Sequence, residues 1–289
     1  MQGIATADRL ASPFASRYLD VAGRRMHSID EGAGEPVLFV HGTPTWSFEW
    51  RHQIAGLAGR WRCIAPDLVG FGRSERPRDF PYTPEAHAEQ LARFVEALGL
   101  ERFALVVHDY GGPIGLPLAL ERPERITRLV LLNTWMWSFA GDRAMERRGR
   151  LAGSAVGRFL YRHANVSLQV LMPSAYGDRA KLTPAIHRHY LDRFPDAWSR
   201  VAVLWPLARA LLGSSAYYDS LWQRRERLRG IPTLIIWGMK DSAFQPHHLE
   251  RWKATLPGAA VVELEAAGHW PHEEAPERVT AELRRFLEG

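Results

Sequence analysis

The stretch Val106-Val107-His108-Asp109-Tyr110-Gly111-Gly112 decides the fold of this chain. An apolar strand ends at His108, and the two glycines after Tyr110 permit a tight turn into a helix. This strand–turn–helix places one side chain, that of Asp109, at the carboxyl end of a parallel strand, where such sheets bind ligands. Many hydrolases carry a serine at this turn within G-x-S-x-G, a pattern that the chain lacks. Here the turn carries an aspartate.

The segments on both sides of this turn alternate between apolar strands and helices. Runs that suit strands buried on both faces are PVLFVH (36–41), RCIAP (62–66), FALVVH (103–108), LVLLN (129–133) and TLIIW (233–237). Further predicted elements are two short strands in 17–30, helices over 84–98, after Gly111 and over 246–256, a strand over 260–265 and a helix over 276–287. This alternation predicts an α/β fold with a mostly parallel central sheet flanked by helices.

Residues 138–229 break that alternation. They are rich in arginine and aromatic residues, helical in pattern, and contain no convincing strand. We therefore predict one core built from residues 1–137 and 230–289, with residues 138–229 inserted between its two halves as a helical lid.

The composition narrows the functional classes. The 289 residues carry a net charge of +5, and the basic excess lies in the lid, mostly as arginine. No recognised nucleic-acid-binding module accompanies it, so we expect an arginine-rich surface and no nucleic-acid partner. No apolar run reaches the ~20 residues of a membrane-spanning helix, which predicts no membrane partner. The single cysteine, Cys63, excludes an intramolecular disulfide, and we expect a reducing, cytoplasmic location.

Neither a cofactor nor a metal is expected. The segment Gly70-Phe71-Gly72 is followed by no Lys-Ser/Thr and so is not a phosphate-binding loop. His187-Arg188-His189 and His247-His248 lack companion carboxylates at the spacing of metal ligands.

An aspartate at the turn indicates displacement at a saturated, electrophilic carbon. Attack by Asp109 gives an alkyl ester, and a water activated by a neutral histidine can then attack the ester carbonyl and free the carboxylate. His269, after the last strand, is the predicted base, and Asp241, after the strand at 234–237, is predicted to orient it. His272 is the rival for the base. The alternative for Asp109 alone is a cap on the following helix.

An oxyanion site is the second requirement of this chemistry. The segment His41-Gly42-Thr43-Pro44 follows the strand at 37–40. We predict that the backbone N–H groups of Thr43 and Tyr110 hold the negative charge that develops on the ester carbonyl oxygen.

The chain resembles the α/β-hydrolase superfamily throughout its length and, within it, the haloalkane dehalogenases. The segments that carry the resemblance are HGTPTWSFEWR (41–51), APDLVGFGRSERP (65–77), VVHDYGGPIG (106–115), LVLLNTWMW (129–137), LIIWGMKDSAFQP (234–246) and GHW (268–270). The resemblance implies the α/β-hydrolase fold with a lid, and cofactor-free hydrolysis of a small, apolar, halogenated substrate. It also implies the branches with the acid at Asp241, because Asn133-Thr134 stands where another branch has it.

The halide site departs from the family pattern. These enzymes usually hold the leaving halide with a tryptophan directly after the nucleophile, where this chain has Tyr110, and often with an asparagine where it has Thr43. In another branch the second donor is a lid tryptophan, for which Trp198, Trp205 and Trp222 are candidates. Trp135 and Trp137, at the lid entrance, are further candidates for the pocket. For each of these tryptophans the alternative is a packing role.

Three alternatives stay open beside the dehalogenase. Epoxide hydrolases share the Asp–His–Asp set and use two lid tyrosines as proton donors, and five tyrosines lie in the lid: Tyr161, Tyr176, Tyr190, Tyr217 and Tyr218. A β-lactone decarboxylase would also use a carboxylate nucleophile. A non-catalytic ligand-binding scaffold is the third alternative, but scaffolds on this fold typically lose a member of the triad, which this chain keeps.

Overall fold

The computed structural model describes residues 14–289, whose centre is an eight-stranded sheet. Its strands are β1 (Ser16–Val21), β2 (Arg24–Glu31), β3 (Pro36–Val40), β4 (Arg62–Pro66), β5 (Phe103–Asp109), β6 (Ile126–Thr134), β7 (Thr233–Gly238) and β8 (Ala260–Leu264). They are ordered β1-β2-β4-β3-β5-β6-β7-β8. The pairs β1–β2 and β2–β4 are antiparallel, and every other pair is parallel. The predicted mostly parallel α/β sheet is confirmed.

Helices cover both faces of the sheet. Before β7 they are α1 (Arg51–Leu57), α2 (Pro84–Ala97), α3 (Gly111–Glu121), α4 (Arg143–Gly153), α5 (Ala155–Ala164), α6 (Met172–Ala175), α7 (Pro184–Leu191), α8 (Ala197–Ser199), α9 (Trp205–Gly213) and α10 (Ser215–Gln223). After β7 they are α11 (Pro246–Thr255), α12 (Pro271–Glu274) and α13 (Pro276–Glu288). No helix among residues 14–289 is long and apolar enough to cross a membrane.

The central strands are apolar because both of their faces are buried. All seven residues of β5 are buried, and successive side chains enter different hydrophobic clusters. Leu105 and Val107 belong to the cluster that includes lid side chains, whereas Ala104 and Val106 belong to the cluster that includes those of α1 and α13. This alternation follows from the two-residue period of a strand.

The lid, residues 138–229, contains helices and no strand, and β6 and β7, on either side of it, pair in parallel. Side-chain caps begin several of its helices: Asp142 accepts hydrogen bonds from the amides of Ala144 and Met145, and Ser154 accepts one from that of Gly157. The division into core and lid at these boundaries stays a prediction.

Candidate active site

Asp109 is the last residue of β5, and its backbone has the left-handed value φ = +49°. Close backbone packing holds this turn. A Cβ on Gly111 would lie 2.2 Å from the Val40 carbonyl oxygen, and one on Gly112 would lie 1.9 Å from Thr134 Oγ1. The two glycines are therefore required, and the strained conformation of Asp109 is fixed by its surroundings.

The two carboxylate oxygens of Asp109 have different neighbours. Oδ2 accepts a hydrogen bond from the Thr43 amide at 2.9 Å, and the Tyr110 amide also donates to the carboxylate. Oδ1 lies 3.7 Å from Nε2 of His269. Burial raises the pKa of the Asp109 carboxyl, although His269 and the two amides oppose that shift. Oδ2 is thus turned toward the Thr43 amide, one of the predicted oxyanion donors, and Oδ1 toward the predicted base.

His269 is hydrogen-bonded to Asp241 through Nδ1, at 2.7 Å from Asp241 Oδ2. Burial lowers the pKa of His269, but the charges of Asp241 and Asp109 outweigh it and raise the pKa to about 9. Asp241 Oδ1 accepts from the amide of Ala243 at 2.6 Å. Burial raises the pKa of the Asp241 carboxyl, but His269 and the hydrogen bonds bring it below its usual value. The fold therefore brings together Asp109, His269 and Asp241, which follow three different strands.

Asn133, at the end of β6, supports the acid and was missed as a site residue. Its Nδ2 donates to Asp241 Oδ2 at 2.9 Å and to the Gly238 carbonyl at 3.1 Å, and its Oδ1 accepts from the Gly238 amide at 2.8 Å. The signal was available in the sequence: a buried asparagine ends a strand where another branch of the family carries the acid, so its side chain can reach the same place.

A buried polar cluster lies behind His269. His108 Nε2 is 2.7 Å from the His269 carbonyl, to which it donates, so its Nδ1 faces Glu49 Oε1 at 3.4 Å. His272 Nε2 lies 3.8 Å from Glu49 Oε2, and the His272 ring stacks on Trp50 at 4.4 Å. Burial lowers the pKa of His272 to about 4. His272 thus faces Glu49 on the far side of His108 and does not line the cavity beside Asp109.

A cavity of about 380 Å³ opens over Asp109 and His269. Apolar side chains, most of them from the lid, form its wall: Met145, Leu151, Leu160, Val166, Leu171, Met172, Ala208, Leu211 and Phe244. The polar side chains at its wall include Tyr161, Ser167 and Arg148. A cavity of this volume and lining suits a small, apolar ligand.

Two of the aromatic residues predicted for the pocket, Tyr110 and Trp135, line this cavity. Their rings pack edge to face at 4.7 Å. The Tyr110 hydroxyl donates to the carbonyl of Leu207, in the lid helix α9, at 2.5 Å. The phenol hydrogen is therefore directed at the lid backbone. Trp270, which was not predicted for the pocket, lines it as well.

Four tryptophans among the pocket candidates lie outside this cavity: Trp137, Trp198, Trp205 and Trp222. Trp137 and Trp222 pack edge to face at 5.1 Å, and the Arg251 guanidinium lies over both rings. Trp198 is 38% exposed. Trp205 donates its indole N–H to the Ala152 carbonyl at 3.0 Å. Trp137, Trp205 and Trp222 thus serve packing, the alternative stated above, whereas Trp198 lies at the surface with Arg78 over its ring.

Of the five lid tyrosines, Tyr161 alone lines the cavity. Tyr190 donates to Glu273, and Tyr217 and Tyr218 donate to the carbonyls of Pro113 and Ala210. The Tyr176 ring stacks on Trp270. The pair of lid tyrosines that an epoxide hydrolase needs is thus not presented to Asp109.

The described residues include two groups of side chains that could hold a metal ion. One is the buried cluster of Glu49, His108 and His272. The other consists of Asp142, His247 and His248. The expectation that His247-His248 lack a companion carboxylate is wrong in three dimensions, because the fold brings Asp142 to them from 105 residues away in the sequence.

Known proteins resemble the chain over nearly its whole length. A family model described as the alpha/beta hydrolase fold matches residues 35–276. Haloalkane dehalogenase 2 of Mycobacterium tuberculosis is 39% identical over 280 residues, which cover 96% of each chain. A cis-3-alkyl-4-alkyloxetan-2-one decarboxylase of Shewanella oneidensis is 31% identical and covers 95% of this chain and 89% of its own. The crystal structure of haloalkane dehalogenase DatA from Agrobacterium tumefaciens superposes with a TM-score of 0.84 and 25% identity, covering 95% of this chain and 96% of its own.

Proposed function

The chain belongs to the α/β-hydrolase fold family and, within it, to the haloalkane dehalogenases, and on this premise we propose that it hydrolyses a halogenated aliphatic compound through a covalent ester on Asp109. The observation that carries the proposal is the different placement of the two Asp109 oxygens. Oδ2 is held by the Thr43 amide, the Tyr110 amide also donates to the carboxylate, and Oδ1 is directed toward His269 Nε2. A carboxylate held in this way attacks with one oxygen and has its other oxygen already bound as the future oxyanion.

In the first step Oδ1 attacks the carbon that bears the halogen. An O–C bond forms, the C–X bond breaks, and the halide leaves with the bonding electron pair. The leaving halide needs hydrogen-bond donors at the cavity wall. Tyr110 can serve only when its hydroxyl turns away from the Leu207 carbonyl, so halide stabilisation here costs an existing hydrogen bond.

In the second step water attacks the ester at Cγ of Asp109. His269 Nε2 takes one proton from the water, and the carbonyl oxygen Oδ2 becomes negative. The Thr43 and Tyr110 amides stabilise that charge, and loss of one such donor typically costs about 3 kcal/mol. Collapse expels the alkoxide, which takes the proton back from His269. The product acid then ionises, so one halide, one alcohol and one proton are released per turnover.

The charges of the site match this order of events. Burial opposes the protonation of His269, while the charges of Asp241 and Asp109 favour it. Formation of the ester neutralises Asp109 and removes one of the two favourable charges, so the pKa of His269 falls. A larger fraction of the histidine is therefore neutral, and able to accept a proton, at the stage that needs a base, while Asp241 holds its ring.

The substrate proposed for this site is small, apolar and halogenated, because the cavity is lined mainly by apolar lid side chains. We also propose a cytoplasmic location. The lone cysteine, Cys63, is buried and can form no intramolecular disulfide, which suits a reducing compartment.

A second candidate function, β-lactone decarboxylation, is favoured by one observation. The Tyr110 hydroxyl donates to Leu207, so the residue after the nucleophile does not present its hydrogen to a leaving halide. Opening a lactone releases no halide and needs no halide donor. A relative that is 31% identical to this chain is a β-lactone (oxetan-2-one) decarboxylase, which supports this alternative.

The decisive experiment is intact-mass spectrometry of a His269→Phe variant incubated separately with haloalkanes, epoxides and β-lactones. Loss of the base blocks the second step and traps the ester. We expect an added alkyl mass without halogen from the haloalkanes, and none in Asp109→Asn. An adduct from the epoxide or lactone panel alone would reassign the substrate while leaving Asp109 as the nucleophile. Adducts in Asp109→Asn as well would disprove the assigned nucleophile.

A further inference from the structure

Three metal-binding side chains meet where the lid joins the core. Asp142 caps the amino end of α4, the first lid helix, and His247 and His248 lie in the first turn of α11, in the core. Asp142 Oδ2 is 3.1 Å from His247 Nε2 and 3.2 Å from His248 Nε2. None of the three residues lines the cavity over Asp109.

Two of these ligands are held in place before any ion binds. Asp142 uses Oδ1 to accept hydrogen bonds from the amides of Ala144 and Met145, both at 3.0 Å, so Oδ2 is turned toward the histidines. The His248 side chain is 3% exposed and stacks against Trp137. Both of its ring nitrogens are buried, and Nε2 faces Asp142 Oδ2 at 3.2 Å without the geometry of a hydrogen bond, so that nitrogen can bind another group.

The third ligand leaves the site open to solvent. The His247 side chain is 57% exposed, and its ring lies 3.9 Å from that of His248. All three ligand atoms lie within 4.8 Å of one another. Tetrahedral zinc, with bonds of about 2.0–2.2 Å, places its ligands roughly 3.3–3.5 Å apart.

We propose that Asp142, His247 and His248 form a zinc site whose fourth position is taken by solvent. Two imidazole nitrogens and one carboxylate oxygen suit Zn²⁺, whereas Mg²⁺ and Ca²⁺ prefer oxygen ligands. Arg143 and Arg251 border the same surface depression, and the amino end of α11 is positive, so these charges weaken the binding of a cation.

An ion at this site fastens the lid to the core beside the cavity. Met145 and Arg148 of α4 line the cavity, as do Ser242 and Phe244 from the loop that leads into α11. Arg148 already donates to the Ser242 carbonyl across this boundary. Zinc adds a second connection between the same two walls, so it restrains α4.

The test uses tag-free protein that has been treated with a chelator, desalted and titrated with Zn²⁺ against a chromophoric zinc indicator. We expect one zinc per chain, a higher Tm, and slower hydrogen–deuterium exchange over residues 143–153. Mg²⁺ should have no such effect. These readouts require no turnover, so they stand apart from the proposed function.

Matched variants locate the binding. His247→Gln and Asp142→Asn should each weaken zinc at least tenfold, whereas His163→Gln, at an exposed lid histidine, should bind as the parent does. Asparagine at 142 can still accept from Ala144 and Met145, so α4 keeps its cap. Zinc retained by both site variants, or none bound at 1 mM Zn²⁺, would overturn the proposal. Retention would place the ion elsewhere, for example at the buried cluster of Glu49, His108 and His272.

Discussion

Replacing Asp241 with asparagine tests the charge argument for the second step. The substitution keeps the shape of the side chain and removes the charge that faces His269 Nδ1 at 2.7 Å. In the free protein the two carboxylates raise the pKa of His269 to about 9. Relative to an ordinary value of about 6.5, this shift corresponds to about 3 kcal/mol of imidazolium stabilisation, at 1.36 kcal/mol per pKa unit.

Of the two steps, hydrolysis of the ester should therefore be slowed more by Asp241→Asn. Since ester formation removes the Asp109 charge, the Asp241 charge dominates at that stage, and its loss should slow water attack roughly 10²-fold. A wrong His269 tautomer extends the loss toward ~10⁴-fold, as in the serine-protease triad. Alkylation uses Asp109 and the halide donors but no base, so its rate should change less than about tenfold.

Rapid-quench intact-mass spectrometry measures both steps. In Asp241→Asn the ester should accumulate to nearly one per chain, with a burst of halide, whereas Asp219→Asn, at an exposed lid position, should behave as the parent does. The rate of ester hydrolysis should rise with pH as His269 loses its proton, and its midpoint should move to lower pH in Asp241→Asn. Equal slowing of both steps without accumulated ester, or a midpoint that does not fall, would refute the reasoning.

Three further predictions address other parts of the site. Arg51 donates two hydrogen bonds to the buried Glu273 carboxylate, at 2.6 and 2.7 Å. Arg51→Met leaves that carboxylate unpaired and should lower the free energy of unfolding, measured by urea titration, by ~3–5 kcal/mol. Adding Glu273→Leu should restore most of the lost stability. If the Tyr110 hydroxyl leaves the Leu207 carbonyl to bind halide, Tyr110→Phe should slow alkylation by haloalkanes in rapid-quench assays and leave β-lactone turnover unchanged. Unchanged alkylation together with slower β-lactone turnover would favour the decarboxylase. The folded-state pKa of His269, about 9, exceeds its unfolded value, so protonated His269 should stabilise the fold fully below about pH 6.5, and this contribution should be lost as the pH rises through 9. The difference in unfolding free energy between the parent and His269→Phe should therefore shrink over that pH range.

The sheet and the triad could be predicted because both depend on the ends of strands. Parallel strands end at the same edge of a sheet, so the residues after β5, β7 and β8 must approach one another. Asp109, Asp241 and His269 occupy those positions, and the structure brings them within hydrogen-bond or near-contact distance. The start of β6 differs from the prediction, which placed it at the apolar run from Leu129. The strand begins at Ile126, because the half-buried Arg128 also pairs in the sheet.

The lid contacts could not be predicted, because an amphipathic pattern tells which side chains are buried but not what they pack against. Trp137 and Trp222 have the composition of a pocket wall, yet they pack against each other beneath Arg251. His247-His248 have no companion carboxylate at metal-ligand spacing in the sequence, and the structure supplies Asp142. In each instance the partner lies on a distant segment of the chain, at a separation that local pattern does not encode.

The proposed nucleophile, oxyanion donors and base depend on one another through the position of the Asp109 carboxylate. The left-handed turn at Asp109 directs its carboxylate against the Gly42 backbone, where a Cβ would lie 2.3 Å from Oδ2. That close approach lets the Thr43 amide reach Oδ2, which leaves Oδ1 toward His269 for attack. When Oδ1 becomes esterified, the negative charge facing His269 disappears while the Asp241 charge remains. Formation of the ester therefore lowers the pKa of His269 before the hydrolysis step, in which the histidine must be neutral.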